Sequence, residues 1–170
     1  RFQGALLERF AMRRAHVVAA VSQWGADTLS ARGYVNAGRP IEVVANGVGS
    51  EWFLDPPERP AADGRGPILF VGRLAPEKGV DVLLRALALG GPEGVETLVV
   101  GTGPDEAALR ALAGELGIGE RVGFLGHRSA GEIRGLMGRA VALVLPSRAE
   151  NCPLVLLEAM RAGKAIVATA

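Results

Sequence analysis

Cysteine and long apolar runs are scarce in this sequence of 170 residues, and neither sign of charge dominates. The single cysteine excludes an internal disulfide and a multi-cysteine metal site, and it is compatible with a reducing compartment. No apolar run approaches the roughly 20 residues that a membrane-spanning helix needs. Lys and Arg number 19 against 18 Asp and Glu, and they are scattered, so the sequence lacks the basic stripe expected of a nucleic-acid-binding protein.

The composition is that of a globular protein. Hydrophobic residues make up 49% of the chain and charged residues 22%, which allows a sizeable core and argues against disorder. The chain opens without Met and stops at AIVATA, directly after a strand-like run. We therefore expect a piece of a longer protein, truncated at both ends, that holds one domain and a remnant of another.

The first part of the chain shows no regular repeat. The predicted elements, in order, are a helix over 2–14, a buried strand over 15–21, a helix from the N-cap Ser22 to about Arg32, and a strand over 41–49 that Asn46-Gly47 interrupts. The run 55–67 is rich in proline, glycine and charge, and is predicted to be a linker.

Beyond the linker, strands and helices alternate. The predicted strands are PILFVG, VETLVVG, RVGFLG, VALVLPS and AIVAT. The predicted helices are 77–89, one with Pro104 in its first turn and Gly117 at its end, a weaker one over 129–137, and 153–162. Apolar strands separated by amphipathic helices predict an α/β fold with a doubly wound, Rossmann-like parallel sheet. Ligands of such sheets bind beyond the carboxyl ends of the strands.

The loop GRLAPEKG, residues 72–79, follows the first strand of this alternation. Gly72 lets a ligand approach the backbone, Arg73 offers a planar fork of donors, and Lys78 supplies a point charge at the predicted start of a helix. Together they could clamp a diphosphate, although these residues alone favour solvated surface charges at a loop and helix start.

Two further loops carry weaker signals. GTGPDE, residues 101–106, resembles the beginning of a dinucleotide fingerprint but lacks the third glycine, which favours a simple turn. His127 follows the strand end FLG, where it could be an exposed loop residue, a contact to a base or an acid. No nearby partner in the sequence orients it for proton transfer.

The stretch ENCPLVLLE places Glu150 in a loop and Glu158 in the helix that Pro153 is predicted to start. The N–H groups of Cys152 and Leu154 at that helix start could receive a phosphate, and the carboxylates could accept sugar hydroxyls. Alternatively, both glutamates are surface acids. Cys152 lacks a histidine placed to activate it and is not favoured as a nucleophile.

Taken in order, these motifs closely resemble the retaining glycosyltransferases of the two-domain GT-B fold, known as glycosyltransferase group 1 or family 4. The resemblance extends over nearly the whole chain. It rests on VAAVSQWGADTL, VVANGV, ILFVGRLAPEKGVDVLLRAL, LVVGTGPDEAALRALA, RVGFLGH and PSRAENCPLVLLEAMRAGKAIVAT. Each motif is weak by itself, whereas the ordered set is specific.

The resemblance implies a role for each motif residue. Arg73 and Lys78 would hold the diphosphate and stabilise its leaving charge, Glu150 would meet hydroxyls of the transferred sugar, and Glu158 would meet the ribose. Main-chain groups of Asn151, Cys152 and Leu154 would approach the sugar and phosphate, with His127 beside the base. Enzymes of this family need no metal, because protein cations and a helix end perform that electrostatic role.

The sequence departs from the family pattern at several positions. The common Gly-Phe-Gly after the first glutamate is Asn151-Cys152-Pro153, and Pro153 has no N–H, so one family backbone contact cannot form there. The other departures are Gly49, Val141 and Ala165. They affect the expected donor specificity more than the reaction class.

The resemblance also predicts the organisation of the chain. Residues 1–40 would end an N-terminal acceptor domain, 41–66 would form the hinge and linker, and 67–170 would form a donor-binding domain incomplete at its C-terminus. We expect a cytoplasmic glycosyltransferase that moves a hexosyl or related group from a nucleoside-diphosphate sugar to a lipid, saccharide or small-molecule acceptor. The fragment alone should be inactive, and peripheral membrane contact through the missing domain stays open.

The alternatives are a non-catalytic nucleotide-sugar binding module or pseudoenzyme of this fold and, less favoured, a sugar phosphorylase or nucleotide-sugar epimerase of related architecture. The phosphorylase would need a phosphate or cofactor-lysine site that the sequence does not show.

Overall fold

The computed structural model describes residues 2–52, 66–90 and 94–169. The chain divides into two compact units, one formed by Arg1–Gly47 with Asn151–Pro153, the other by Val48–Glu150 with Leu154–Ala170. Most of the predicted linker falls on residues 53–65, which lie outside the described residues. The domain boundaries proposed from the sequence therefore stay predictions.

The first unit contains two helices and a short parallel strand pair. Its elements are α1 (Phe2–Arg14), β1 (Ala19–Ala20), α2 (Gln23–Ala31) and β2 (Glu42–Val43). The prediction that Ser22 caps α2 is confirmed, because its side chain accepts a hydrogen bond from the Gly25 N–H at 3.0 Å. The prediction of a buried strand over 15–21 is wrong: the strand is only Ala19–Ala20, with the first residue exposed and the second buried, and Val17 before it is 61% exposed.

The second unit is built on a five-stranded sheet. Its elements are β3 (Ile68–Val71), α3 (Val80–Ala88), β4 (Thr97–Val100), α4 (Glu106–Glu115), β5 (Val122–Gly126), α5 (Ala130–Arg139), β6 (Ala142–Leu145), α6 (Leu154–Arg161) and β7 (Ala165–Ala168). All strand pairs are parallel, in the order β5-β4-β3-β6-β7. The predicted doubly wound, Rossmann-like α/β fold is confirmed.

Alternate strand residues face two separate apolar layers. Phe70 and Val99 point to a core that also contains the apolar faces of α3 and α4. Leu69 and Leu143 point to the opposite core, which is completed by α5 and α6. Both faces of the sheet are covered, which explains why the strands contain few polar residues.

The structure corrects three predicted helix starts. The helix predicted over 77–89 is two elements, a 3-10 turn over Pro76–Lys78 and then α3, separated by Gly79 at φ 66°. A left-handed residue cannot continue an α-helix, so Lys78 precedes α3. Pro104 lies before α4, whose N-cap is Asp105, and Pro153 lies just before α6.

The strand order reverses between β3 and β6. From β3 the chain moves to β4 and β5 on one side, and it then crosses to β6 and β7 on the other. The loops after β3 and β6 therefore flank the point at which open α/β sheets bind their ligands. None of the helices formed by the described residues is long and apolar enough to cross a membrane.

Candidate functional site

The loop after β3 is fixed by main-chain bonds to the loop after β4. The Leu74 N–H donates to the Thr102 carbonyl at 2.9 Å, and the Leu74 carbonyl accepts from the Asp105 N–H at 3.1 Å. The Leu74 side chain is fully buried and anchors the loop in the core. The backbones approach so closely that a Cβ added to Gly103 would lie 2.1 Å from the Leu74 carbonyl oxygen. The glycines of GTGPDE thus serve close loop packing, as a simple turn predicts.

Lys78 and Glu150 come together at the reversal of strand order. The Lys78 ammonium donates to Glu150 Oε1 at 2.5 Å, and the Ser147 hydroxyl donates to the same oxygen at 2.7 Å. The side chains of Lys78 and Glu150 are only 23% and 24% exposed, so water screens this pair less than a surface pair. The Thr169 hydroxyl donates to the Ser147 carbonyl at 2.5 Å, and this bond also helps to fix the loop after β6.

Arg73 forms an ion pair with Glu77, and both residues lie in the loop after β3. Its side chain is 65% exposed and therefore free to adopt other rotamers. A main-chain hydrogen bond within Glu77, followed by the hydrogen bond from Arg73, lowers the pKa of the Glu77 carboxyl. Arg73 and Lys78, the two cations of GRLAPEKG, are thus each paired with a carboxylate.

A cleft of about 340 Å³ lies beside these loops in the second unit. It brings together three residues singled out in the sequence, Gly72, Arg73 and His127, with Thr102 and Arg128 also in its wall. Two guanidinium groups and an imidazole give this cleft the donors that a phosphate-bearing ligand needs. Its volume lies within the range of small-molecule sites.

Arg148 is a residue of the site that sequence reasoning missed. Its guanidinium makes a two-pronged contact with Asp81, with Nη1 to Oδ1 at 2.9 Å and Nη2 to Oδ2 at 2.7 Å. The hydrogen bond from Arg148 lowers the pKa of the Asp81 carboxyl, and the same bond raises the pKa of the Arg148 guanidinium. The sequence gives little indication of this contact. Arg148 lies in the motif LPSRAE, but its partner Asp81 is 67 residues away in the chain.

The remaining predicted site residues lie at or near the start of α6. Leu154 is the first residue of α6 and is 48% exposed. Glu158 lies one turn further along the helix, and burial raises the pKa of its carboxyl. Asn151 and Cys152 group with the first unit, in which the Asn46 side chain donates to the Cys152 carbonyl at 3.0 Å. Their roles toward a ligand stay predictions.

No metal-binding cluster is apparent in the part of the chain that the structure describes. No group of three or more His, Cys, Asp or Glu side chains there could hold an ion. Metal independence stays a prediction, to be tested with a chelator.

The chain matches a protein-family model described as "Glycosyl transferases group 1" over residues 51–170, which is more than half of its length. The chain belongs to this family. Among curated relatives, the D-inositol 3-phosphate glycosyltransferase of Mycolicibacterium gilvum (strain PYR-GCK) is 40% identical over 146 residues, covering 76% of this chain and 31% of that protein. The alpha-D-kanosaminyltransferase of Streptomyces kanamyceticus is 30% identical over 172 residues, covering 95% and 44%.

Solved structures place the fold with GT-B glycosyltransferases. Anabaena Alr3699/HepE, crystallised with UDP and glucose, superposes with a TM-score of 0.80 at 28% identity, covering 96% of this chain and 47% of that one. WaaG, a glycosyltransferase involved in lipopolysaccharide biosynthesis, superposes with a TM-score of 0.84 at 24% identity, covering 98% of this chain and 48% of that one, which supports the fold alone. The chain spans less than half the length of each of these proteins.

Proposed function

We propose that the chain forms the donor-binding part of a glycosyltransferase that moves a sugar from a nucleoside-diphosphate sugar to an acceptor, with retention of anomeric configuration. The observation that carries this proposal is the Lys78–Glu150 pair beside the reversal of strand order. A nucleotide sugar needs cations for its diphosphate and acceptors for its hydroxyls, and this pair offers both. The UDP and glucose bound to HepE support the same class of donor.

Lys78 and Arg73 are proposed to bind the diphosphate and stabilise the charge that grows on it as the sugar departs. An ammonium group has three donors, so Lys78 can keep its bond to Glu150 and still meet a phosphate oxygen. Arg73 is paired with Glu77 and would turn from it toward the ligand. The cations of the chain would thereby supply the electrostatic stabilisation without a metal.

Glu150 is proposed to orient the transferred sugar through one oxygen. Lys78 and Ser147 both donate to Oε1, so Oε2 is assigned to a sugar hydroxyl. Glu158 would accept from the ribose hydroxyls, and His127 would contact the base.

The main chain of Asn151, Cys152 and Leu154 would approach the sugar and phosphate. The acceptor is a lipid, a saccharide or a small molecule, and the site of action is proposed to be cytoplasmic.

Isothermal titration of the chain with UDP and UDP-glucose, with and without EDTA, tests donor binding. Lys78→Ala removes the proposed hydrogen bond between a charged ammonium and the diphosphate. UDP binding should therefore weaken about 10- to 100-fold. Arg110→Ala is the control, because it removes another cation of the second unit, which pairs with Glu106 on α4 and has no proposed role in binding. If neither ligand, nor the corresponding ADP, GDP and CDP compounds, binds under any condition, the proposal fails.

Transfer itself is tested in the complete protein by following the products with NMR. A glycosylated acceptor with the anomeric configuration of the donor is expected. Sugar phosphate would identify a phosphorylase and an altered sugar an epimerase, whereas donor binding without turnover would identify a binding module.

A further inference from the structure

Arg148 contacts the chain on both sides of Lys78. Before Lys78, its Nη1 donates to the Pro76 carbonyl at 2.6 Å and its main-chain N–H donates to the Glu77 carbonyl at 2.7 Å. After Lys78, its guanidinium meets both oxygens of Asp81. One residue of the β6 loop thus spans the whole turn that carries the proposed diphosphate-binding lysine.

These bonds reinforce a direct backbone contact between the two loops. Gly79, next to Lys78, adopts φ 66° and packs on the backbone of Pro146, two residues before Arg148. The turn over Pro76–Lys78 is a short 3-10 helix whose N-cap, Ala75, has no side-chain hydrogen bond. A turn with so little stabilisation of its own depends on contacts from outside.

We propose that Arg148 is a positioning residue, which fixes the Pro76–Asp81 turn so that the Lys78 ammonium meets the donor diphosphate. This inference rests on the proposed function, because it assigns Lys78 to the diphosphate. Arg148 acts through Lys78 and Asp81, and its own guanidinium is occupied by Pro76 and Asp81.

The chemistry of the side chain explains why arginine serves here. A guanidinium presents parallel N–H donors that match a carboxylate and leave a further direction for the Pro76 carbonyl, whereas lysine concentrates its charge at one atom. The Arg148 and Asp81 side chains are 48% and 36% exposed, so the pair contributes little to overall stability. Its effect should therefore appear in ligand affinity and local order.

The test is a double-mutant cycle on UDP affinity. Arg148→Ala should weaken UDP binding about five- to tenfold in the otherwise unchanged chain, and by less than about twofold when Lys78→Ala is already present, because the two residues are coupled. Arg148→Lys should behave like Arg148→Ala, since it loses the two-pronged contact. Arg110→Ala is the matched control, with an ion pair of 2.9 Å and exposures of 50% and 30% for Arg110 and Glu106.

Three results would overturn the inference. These are an unchanged affinity in Arg148→Ala, an equal loss with and without Lys78, and full affinity in Arg148→Lys. Amide hydrogen exchange gives a readout that needs no ligand. Exchange at Lys78 and Gly79, whose N–H groups donate to Ala75 and Pro76, should accelerate in Arg148→Ala.

The two proposals can fail separately. Unchanged exchange overturns the positioning role even if UDP binds tightly. If the unmodified chain binds neither UDP nor the corresponding ADP, GDP and CDP compounds, by contrast, the proposed function is removed and with it the link from Arg148 to a diphosphate.

Discussion

Gly79 and Pro146 meet through their backbones, with no room for a side chain between them. A Cβ built on Gly79 would lie 2.0 Å from the Pro146 carbonyl oxygen and 2.9 Å from its carbonyl carbon. Gly79 ends the turn that carries Lys78, and Pro146 begins the loop that carries Glu150. The distance between the two proposed ligand-binding side chains is therefore set by contact between main chains.

Gly79→Ala should destabilise the protein strongly for this reason. Gly163→Ala is the matched control, because Gly163 has the same φ of 66° with nothing within 4 Å of an added Cβ. The control should lose about 1–2 kcal/mol from left-handed strain alone. Gly79→Ala should lose roughly 1–3 kcal/mol more, since the backbone must move apart. Urea unfolding measures both, and equal losses would contradict the proposed loop contact.

Glu77→Gln should tighten UDP binding. In the free protein Glu77 pairs with Arg73, so a diphosphate must compete with this carboxylate for the guanidinium. Exposed pairs of this kind are weak, and the expected gain in affinity is about two- to fivefold. Calorimetric titration at fixed salt measures it.

Glu106→Gln provides the comparison for Glu77→Gln. It breaks another pair with (i, i+4) spacing, Glu106 with Arg110, and should leave UDP affinity unchanged. Weaker binding by Glu77→Gln would mean that Glu77 holds Arg73 in its binding position.

Leu84→Ala tests the packing that supports the site. Leu84 is fully buried on α3 in the core that also holds Leu74, the anchor of the Arg73 loop. The substitution should cost about 2–5 kcal/mol of unfolding free energy. Leu89 follows α3 and is 90% exposed, so Leu89→Ala should change stability by less than about 0.5 kcal/mol. Thermal or urea unfolding measures both variants. If they lost similar amounts of unfolding free energy, the burial of Leu84 on α3 would be contradicted.

The repeating part of the fold was predictable because its signals are local. An apolar run such as ILFV, followed by a glycine loop and then by leucines at helical spacing, specifies a strand and a helix within about 20 residues. The parallel sheet follows from that alternation. The helix starts were less predictable, since proline fits several positions near a helix start and only the conformation of Gly79 decides where α3 begins.

The contacts of the site were not predictable from local signals. Glu150 and Lys78 are 72 residues apart, and nothing in either segment specifies that they share a hydrogen bond. Their conjunction depends on β6 lying beside β3, which is a property of the sheet order. Arg148 was overlooked for the same reason, because Pro76 and Asp81 become its neighbours only after the sheet has formed.

Glu158 should make both the stability of the protein and its affinity for UDP depend on pH. Burial raises the pKa of this carboxyl above its ordinary value of 4.5, so the folded protein holds the proton more tightly than the unfolded chain. The stabilisation from this group is therefore present below pH 4.5 and is lost as pH rises through the raised pKa. Relative to Glu158→Gln, the unmodified protein should lose stability across this window.

UDP affinity should move in the opposite direction over the same window. An ionised carboxylate accepts from ribose hydroxyls more strongly than a protonated carboxyl, so binding should strengthen as Glu158 loses its proton. The terminal phosphate of UDP also titrates, at about pH 6. Its contribution cancels when the binding free energy of Glu158→Gln is subtracted from that of the unmodified protein at each pH. Calorimetric titrations of both proteins across this range give that difference. A difference that is flat with pH would remove Glu158 from the ribose site, while a change in stability alone would leave it only a half-buried acid of α6.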